Sequence, residues 1–272
     1  MVRKFFKIKK LTYFSKKIFN LAVLFTVGYS TYTNWNIVSM GAFNGNTRIG
    51  SRDFKDWSTM KVPFFMRSLI FGMYSYWFNV VSKDMVHPYH QYETINKFFT
   101  RTVKPRNIPV EENILVCPAD SKVLKIQEIT EDSVLMIKNV KYSLGQFIYG
   151  EEKALSKEEI QKLKSKPENK LYSIIFYLAP GDYHRYHSHD NISVSKINHV
   201  PGHLAVVRIK DLHNKTYTEN ERIILSGETK FGNYFYGIVG ATNVGSMDLT
   251  FDSSVRTNIL EHDYQVSIQY TL

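Results

Sequence analysis

The fold class is decided by one apolar run, Leu171-Tyr-Ser-Ile-Ile-Phe-Tyr-Leu178, in which β-branched and aromatic side chains are concentrated. Such a run predicts a β-strand, and the Ala179-Pro-Gly-Asp182 that follows it indicates a turn. Further strands are predicted from similar runs at 114–117, 133–138, 204–209, 222–225, 234–239 and 264–270. Because turns rather than helices separate most of these runs, they predict a mainly antiparallel sheet and not alternating βαβ units.

Helices are predicted chiefly before this β-rich part, over residues 41–105. Apolar positions recur too densely over residues 69–78 for a solvated helix, so this segment either packs against the domain or lies on a membrane surface. A short amphipathic helix is predicted at 96–101, and Ser156 with Glu159 forms a capping box that opens a charged helix. The predicted fold class is therefore α+β, with an N-terminal membrane anchor and helical region followed by a mainly antiparallel β core.

The excess positive charge is confined to the start of the chain. The formal net charge is +10, but residues 1–52 hold nine Lys and Arg side chains and no acid, which leaves 26 bases against 25 acids in the remainder. A nearly neutral body argues against a nucleic-acid partner, which would need a basic face. Cys117 is the only cysteine, so a disulfide framework and a cysteine-based metal site are both excluded.

The first 40 residues are predicted to be a basic targeting segment and a membrane anchor. Residues 1–17 alternate bases with apolar side chains, as mitochondrial transit segments do, and an apolar run from Ile18 to about Tyr32 follows. A helix of about 15 residues reaches roughly 22 Å, short of the ~30 Å hydrocarbon core, and flanking aromatic residues would make up the difference. The alternatives are a cleaved targeting peptide and a buried or surface helix. The predicted domains are 1–40, the helical membrane-proximal region 41–105 and the β-rich core 106–272.

The densest polar cluster is Asp182-Tyr-His184-Arg-Tyr-His187-Ser-His189-Asp190, directly after the strand at 171–178. Three histidines within six residues suit acid–base chemistry near neutral pH, and metal ligation and loop hydrogen bonding are the alternatives. On an extended chain His187 and His189 share one face while His184 points the other way, which disfavours a shared metal ion. We therefore expect no metal site.

An acid–base site also needs an orienting carboxylate. The candidate is Asp120 in Cys117-Pro-Ala-Asp120, although a carboxylate there is also typical of an ordinary Asx turn. Asp182 and Asp190 lie nearer to the histidines in sequence but suit local loop caps equally well. The Gly-rich segment at 237–247 lacks the lysine and the following helix of a phosphate-binding loop, so it indicates a close backbone approach instead.

Several motifs occur together and in order along the chain. They are Asn96-Lys-Phe-Phe-Thr-Arg101, Lys104-Pro105, Pro118-Ala-Asp120, Tyr142-Ser-Leu144, Leu178-Ala-Pro-Gly-Asp-Tyr-His-Arg-Tyr-His187, Pro201-Gly202 with Leu204, Asn220-Glu-Arg222 and Val239-Gly-Ala-Thr-Asn-Val-Gly-Ser246. From about residue 48 to residue 258 the chain resembles the phosphatidylserine decarboxylase family in its eukaryotic mitochondrial form. The resemblance implies a lyase of phospholipid metabolism that converts phosphatidylserine to phosphatidylethanolamine and carbon dioxide.

The resemblance also implies a cofactor, residue roles and partners. The family's pyruvoyl cofactor is made from one of its own serines, when the proenzyme cuts itself before that serine. Asp120 and His187 match the orienting carboxylate and the base of the self-cleavage triad, and His184 matches the histidine of the decarboxylation. The implied partners are phosphatidylserine, a membrane, a C-terminal small subunit and a second copy in a homodimer. The implied location is the mitochondrial inner membrane, with the catalytic body facing the intermembrane space.

The chain departs from the family near its C-terminal end. The family's cut site, typically Leu-Gly-Ser-Thr, lies several tens of residues beyond the segment that ends at Ser246, and no such motif occurs before Leu272. Ser246 is the fallback for the pyruvoyl-forming serine, although its flanks match an upstream strand of the family. We therefore expect this chain to be truncated, an incomplete gene model or an inactive relative, and not to decarboxylate alone. The alternative function is that of a catalytically inactive lipid-binding relative, and the resemblance supplies no role for His189 or His203.

Overall fold

The computed structural model describes residues 47–108, 111–132, 141–150, 154–207, 216–259 and 266–269. The predicted targeting segment and membrane anchor at 1–40 lie outside these ranges. Within the described ranges, no helix is both long enough and apolar enough to cross a membrane.

A helical layer comes first in the described chain. Helix α1 spans Thr47–Thr59, α2 spans Phe64–Phe78 and α3 spans Ile95–Phe99. Two short 3-10 turns, Ser82–Asp84 and Tyr89–Gln91, lie between α2 and α3. All of these elements lie within the stretch that the sequence predicts to be helical.

Local sequence sets the ends of these helices. Asn79 ends α2 in the left-handed conformation, with φ 54° and ψ 43°, which asparagine tolerates better than most residues. Thr94 caps α3 by accepting a hydrogen bond from Lys97 N at 3.0 Å. The layer closes around Phe71 and Phe98, which are both buried and whose stacked rings lie 4.7 Å apart.

Two antiparallel sheets form the β-rich part of the chain. Strand β1, Lys122–Ile129, pairs with β2, Leu171–Tyr177. The second sheet contains β3 (Ser193–Val200), β4 (Arg222–Thr229), β5 (Gly232–Val239) and β6 (Val266–Gln269). Its spatial order is β5-β4-β3-β6, and each pairing between described strands is antiparallel. The predicted α+β class with an antiparallel core is therefore confirmed.

Three short helices lie between the strands, namely α4 (Leu144–Tyr149), α5 (Lys157–Leu163) and α6 (Thr216–Glu219). The predicted capping box opens α5, because Ser156 Oγ accepts from Glu159 N while Glu159 Oε2 accepts from Ser156 N. A buried core joins α4 and α5 to strands β1 and β4; its members are Ile129, Tyr142, Leu144, Ile148, Leu155, Ile160, Leu163 and Ile224.

Arg222 joins the ends of two of these helices. Its side chain is fully buried, and its guanidinium donates to the main-chain oxygens of Gln146, Phe147, Thr218 and Asn220 at 2.7–2.9 Å. The last carbonyls of a helix have no partner within the helix, so these hydrogen bonds satisfy the C-terminal turns of α4 and α6. Burial lowers the pKa of Arg222 to about 10, and the side chain stays charged at neutral pH.

The strand predictions are confirmed for the runs that begin at residues 171, 222 and 234, and in part for the last run. The runs at 114–117 and 204–207 are not strands, so those predictions are wrong. The apolar Leu204 is fully buried in the core instead of lying in a strand. It packs so closely against Gly245 that a Cβ atom added there would lie 2.5 Å from the Leu204 side chain. Strand β3 is not predicted because polar residues interrupt its pattern, although Asn198 and His199 are both buried. The predicted strand at 133–138 lies outside the described residues.

Candidate active site

The polar loop after β2, residues 180–190, is held by the helical layer; we call it the histidine loop. Tyr74 Oη in α2 donates to Pro180 O at 2.6 Å. Arg101, just after α3, donates from Nη2 to Gly181 O at 2.7 Å. Arg101 is only 3% exposed, so this charge-assisted hydrogen bond is shielded from water. The start of the loop is therefore fixed to α2 and α3.

Gly181 makes the closest approach between the histidine loop and α2. A Cβ atom at this position would lie 1.9 Å from Phe78 O and 2.8 Å from Phe78 C. Real Cβ atoms do not approach other heavy atoms so closely, and the opposing atoms are backbone that cannot rotate away. Glycine is thus needed here for the space that its missing side chain leaves.

The histidine loop also pairs with the segment that carries Asp120. His187 N donates to Pro118 O at 2.8 Å, and Val116 N donates to His189 O at 2.9 Å. These two main-chain hydrogen bonds hold the segments side by side. The sequence-predicted Asp120 and His187 therefore lie on neighbouring segments, although they are far apart in the chain.

The side chains of Asp120 and His187 each have a different partner. Arg106 binds both carboxylate oxygens of Asp120, with Nη1–Oδ1 at 2.5 Å and Nη2–Oδ2 at 2.9 Å. His187 Nε2 lies 2.9 Å from Tyr183 Oη, and the two rings are stacked within 11° of parallel. No hydrogen bond or ion pair joins the described side chains of Asp120 and His187 to each other.

His184 faces the helical layer instead. Its ring lies 3.8 Å from the ring of Phe99, and its Nδ1 lies 2.9 Å from Asp182 O. Because a carbonyl oxygen can only accept, Nδ1 carries the proton and Nε2 keeps its lone pair. Burial lowers the pKa of His184 below its ordinary value of 6.5, against the opposing effect of Asp182, so the ring is neutral at pH 7. His184 and His187 thus face different neighbours, as the alternation of an extended chain predicts.

The other candidate residues have local contacts. Asp182 Oδ2 accepts a main-chain hydrogen bond within its own turn at 2.7 Å, as expected of a loop cap. Ser246 Oγ accepts from Asn258 Nδ2 at 3.2 Å, and the ring of His189 lies 5.5 Å from that of Tyr234. Within the described ranges, no group of three or more His, Cys, Asp or Glu side chains is placed to hold a metal ion.

Sequence reasoning missed three residues that contact the candidate side chains. Arg106 binds Asp120, Tyr183 contacts His187, and Phe99 packs on His184. Phe99 and Tyr183 belong to the motifs at 96–101 and 178–187, and Arg106 directly follows Lys104-Pro105. Nothing in their spacing indicates which side chain each one meets, because the partners come together only through the fold.

Comparison with known proteins shows which family the sequence belongs to. A sequence model of the phosphatidylserine decarboxylase family matches residues 95–267. The chain is 34% identical over 229 residues to the mitochondrial phosphatidylserine decarboxylase proenzyme of Cricetulus griseus, covering 78% of this chain and 55% of that protein. The mitochondrial proenzyme of Caenorhabditis elegans is 30% identical over 237 residues, covering 86% and 60%. The phosphatidylserine decarboxylase proenzyme of Helicobacter pylori is 30% identical over 212 residues, covering 76% and 74%.

The fold and the histidine loop define an α+β protein with a candidate proton-transfer site between a helical layer and antiparallel sheets. By the extent of these matches, the chain belongs to the phosphatidylserine decarboxylase family. It spans little more than half the length of the two animal relatives, whose names include the word mitochondrial.

Proposed function

We propose that this chain forms the body of a phosphatidylserine decarboxylase, a carboxy-lyase that converts phosphatidylserine to phosphatidylethanolamine and carbon dioxide. Relatives at 30–34% identity carry that name. The proposed location is the mitochondrial inner membrane, with the body facing the intermembrane space. The basic residues 1–17 support this orientation, because positive segments are retained on the negative, inner side of such a membrane.

One observation carries the proposal, the hydrogen bond from His187 N to Pro118 O. It holds a base and a carboxylate, His187 and Asp120, on adjacent segments, with His184 on the other side of the same loop. Self-cleavage at a serine needs a base and an orienting acid, whereas decarboxylation needs a group that delivers a proton. Two histidines in different surroundings suit two separate proton transfers.

His184 is the residue that we assign to decarboxylation. Its Nδ1–H is engaged by Asp182 O, so proton exchange with substrate takes place at Nε2. Burial lowers its pKa and keeps that nitrogen free of a proton at neutral pH, so it can accept a proton from the substrate's ammonium group and return it to the carbon that loses carbon dioxide. Phe99 covers one face of the ring and keeps water from it.

Asp120 and His187 are the residues that we assign to self-cleavage. To act as a pair they must exchange partners, because Arg106 holds the carboxylate and Tyr183 contacts the imidazole. An exposed Arg–carboxylate pair contributes only about 0–1 kcal/mol, and both side chains here are more than one-third exposed. Releasing the carboxylate from Arg106 therefore costs little.

A self-derived pyruvoyl group would supply the electron-withdrawing ketone for this reaction. The described residues fit the proton-transfer part of such a site, since His184, His187 and Asp120 are titratable groups on the histidine loop and the segment paired with it. The serines that adjoin these residues have other partners: the hydroxyls of Ser121 and Ser188 donate to Ala119 O and Asp190 O. Ser246 remains the fallback.

The test uses the full-length product of the gene and phosphatidylserine labelled in its carboxyl carbon. We expect release of labelled carbon dioxide together with phosphatidylethanolamine. H184A should stop carbon dioxide release and leave self-cleavage intact, whereas D120A and H187A should block self-cleavage, seen as a missing fragment on a gel. Each loss should be at least about 100-fold in rate.

H189Q is the matched control, because it changes a histidine of the same loop to which we assign no role. It should keep both self-cleavage and turnover. Unimpaired turnover by H184A would refute the assigned roles. Binding of phosphatidylserine by the wild-type protein without any carbon dioxide would favour the inactive lipid-binding alternative.

A further inference from the structure

Arg101 is a buried charge with unused hydrogen-bond donors next to the histidine loop. Its side chain is only 3% exposed, and its Cζ lies 5.7 Å from the ring centre of Phe98, which is also buried. Among the described residues, Arg101 Nε and Nη1 have no hydrogen-bond partner. Burying a charge with unpaired donors is costly, so a neutral donor would hold the loop with a smaller loss of stability. The positive charge therefore needs an explanation beyond attachment of the loop.

The remaining nitrogen of Arg101 holds the carbonyl oxygen that sets the tautomer of His184. Besides its hydrogen bond to Gly181 O, Arg101 Nη2 donates to Asp182 O at 3.2 Å. The same Asp182 O accepts from His184 Nδ1 at 2.9 Å, and a carbonyl oxygen has two lone pairs with which to accept both donors. Without an acceptor at that position, the imidazole has no partner that favours a proton on Nδ1 over one on Nε2.

The charge of Arg101 acts on His184 in the same direction as the hydrogen bond. Burial is the main cause of the lowered pKa of His184; of the charged groups that act on this ring, Asp182 raises the pKa and Arg101 lowers it. A nearby cation disfavours an imidazolium, and the effect is weakly screened where water is excluded. Phe99, which packs on the ring, has no titratable group. Arg101 thus helps to keep a proton on Nδ1 and also opposes a second proton on Nε2.

The support of His184 comes from one short segment of the helical layer. Three consecutive residues, beginning with the last residue of α3, each contact the histidine loop: Phe99 packs on His184, Thr100 O accepts from Arg185 Nε at 2.8 Å, and Arg101 holds Asp182 O. Ring, tautomer and loop are therefore fixed together by the end of the motif at 96–101.

We propose that Arg101 is a positioning residue for decarboxylation: through the main-chain oxygen of Asp182, it keeps His184 in the Nδ1–H tautomer with Nε2 presented to the substrate. The proposal deepens the proposed function and rests on it, because it concerns the same proton transfer. Arg101 itself touches neither the proton nor the imidazole ring. Its effect is on which nitrogen of His184 carries the proton and on the pH at which the second nitrogen becomes protonated.

The test compares three variants of the full-length product of the gene. R101M removes the charge and the donors, whereas R101K keeps a charged donor; because both hydrogen bonds come from one nitrogen, an ammonium group can replace it. Y74F is the matched control, since it removes the hydrogen bond to Pro180 O and leaves Asp182 O untouched. Loss of a mere tether would affect R101M and Y74F alike.

Two readouts report on His184. One is the pH dependence of kcat for carbon dioxide release from phosphatidylserine. The other is the nitrogen-15 spectrum of the histidine side chains, in which the signals of His184 are those absent from H184F. Urea unfolding shows that each variant is folded, and R101Q, which keeps a neutral donor, replaces R101M in both readouts if R101M is not.

We expect kcat of R101M at neutral pH to fall about 10–100-fold with little change in KM, because the proton-accepting nitrogen is no longer fixed. The acid limb of its pH profile should move upward by about 0.5–1 pH unit, since the reaction needs neutral His184 and the pKa of that ring rises without the cation. The spectra of wild type, R101K and Y74F should show a protonated Nδ1 and a bare Nε2, and that of R101M a mixture of tautomers.

Wild-type behaviour of R101M in either readout would overturn the proposal. So would an equal shift in Y74F, which would make Arg101 a tether only, or a loss in R101K as large as that in R101M. The spectra do not depend on turnover. An unchanged R101M spectrum with carbon dioxide release by wild type leaves the proposed function standing, whereas an altered R101M spectrum without release by wild type refutes the proposed function and leaves the control of the His184 tautomer by Arg101 intact.

Discussion

Replacing Gly181 with alanine should detach the histidine loop from helix α2. The added Cβ would lie 1.9 Å from Phe78 O, an atom of the helix backbone that no rotamer change can move. The loop must therefore shift as a whole. A shift of that size also breaks the hydrogen bonds from Tyr74 Oη to Pro180 O and from Arg101 Nη2 to Gly181 O, which are 2.6 and 2.7 Å long.

The expected loss of stability follows from these contacts. Overpacking costs about 1–3 kcal/mol, a lost neutral hydrogen bond about 0.5–1.5 kcal/mol, and a lost hydrogen bond to a charged group about 1.5–3 kcal/mol. We expect G181A to lower the free energy of unfolding by about 3–7 kcal/mol, a large part of the 5–15 kcal/mol of a typical domain. Because the same loop carries His184, we expect decarboxylation to fall with it.

Urea unfolding followed by tryptophan fluorescence measures this loss, since Trp57 and Trp77 both lie in the helical layer. G72A in α2 is the matched control. Its Cβ would meet only Tyr89 Cε2, at an ordinary 3.9 Å, and alanine stabilises a helix interior by about 0.5–1 kcal/mol relative to glycine. The two substitutions should therefore act in opposite directions. A G181A variant as stable as wild type would refute the close approach on which the argument depends.

Three further predictions concern buried polar groups. R222M should lower the free energy of unfolding by at least about 4 kcal/mol in urea, because four main-chain oxygens lose a charged donor, and R222K should lose less. Below about pH 6.5 wild type should lose more stability than H184F does. The unfolded chain binds a proton at His184 that the folded chain, with its lowered His184 pKa, does not bind, so urea unfolding midpoints should fall more steeply with decreasing pH in wild type than in H184F. E221L should destabilise by about 3 kcal/mol, since Glu221 Oε1 accepts from Asn258 N and pairs with His199, and E221Q should recover about half in the same urea assay.

The sequence predicts elements best where one physical signal dominates. The apolar run at 171–177 and the capping box before α5 are both found in the structure, because strand periodicity and helix capping are local properties. Strand β3 escapes prediction because its burial depends on neighbours: Asn198 is buried where its amide donates to Ile148 O, a partner 50 residues away.

For the candidate site, the sequence likewise predicts which residues take part but not which side chains pair. The sequence identifies His184, His187 and Asp120 as chemically suited residues, and the fold brings their segments together. The sequence does not reveal that Arg106 binds the Asp120 carboxylate or that Tyr183 contacts the His187 imidazole. Such pairings depend on side-chain positions to within about an ångström, which spacing along the chain does not specify.

The buried guanidinium of Arg222 bears on the order in which the molecule assembles. Its partners at Gln146 and Phe147 are 76 and 75 residues earlier in the chain, while Thr218 is only 4 residues away. An unpaired charged group is costly to bury, so we expect β4 to dock only after α4 has formed and its carbonyl oxygens can accept hydrogen bonds from Arg222. Closing that long loop is slow, and we expect it to limit the folding rate. The second sheet should then appear in a single late step.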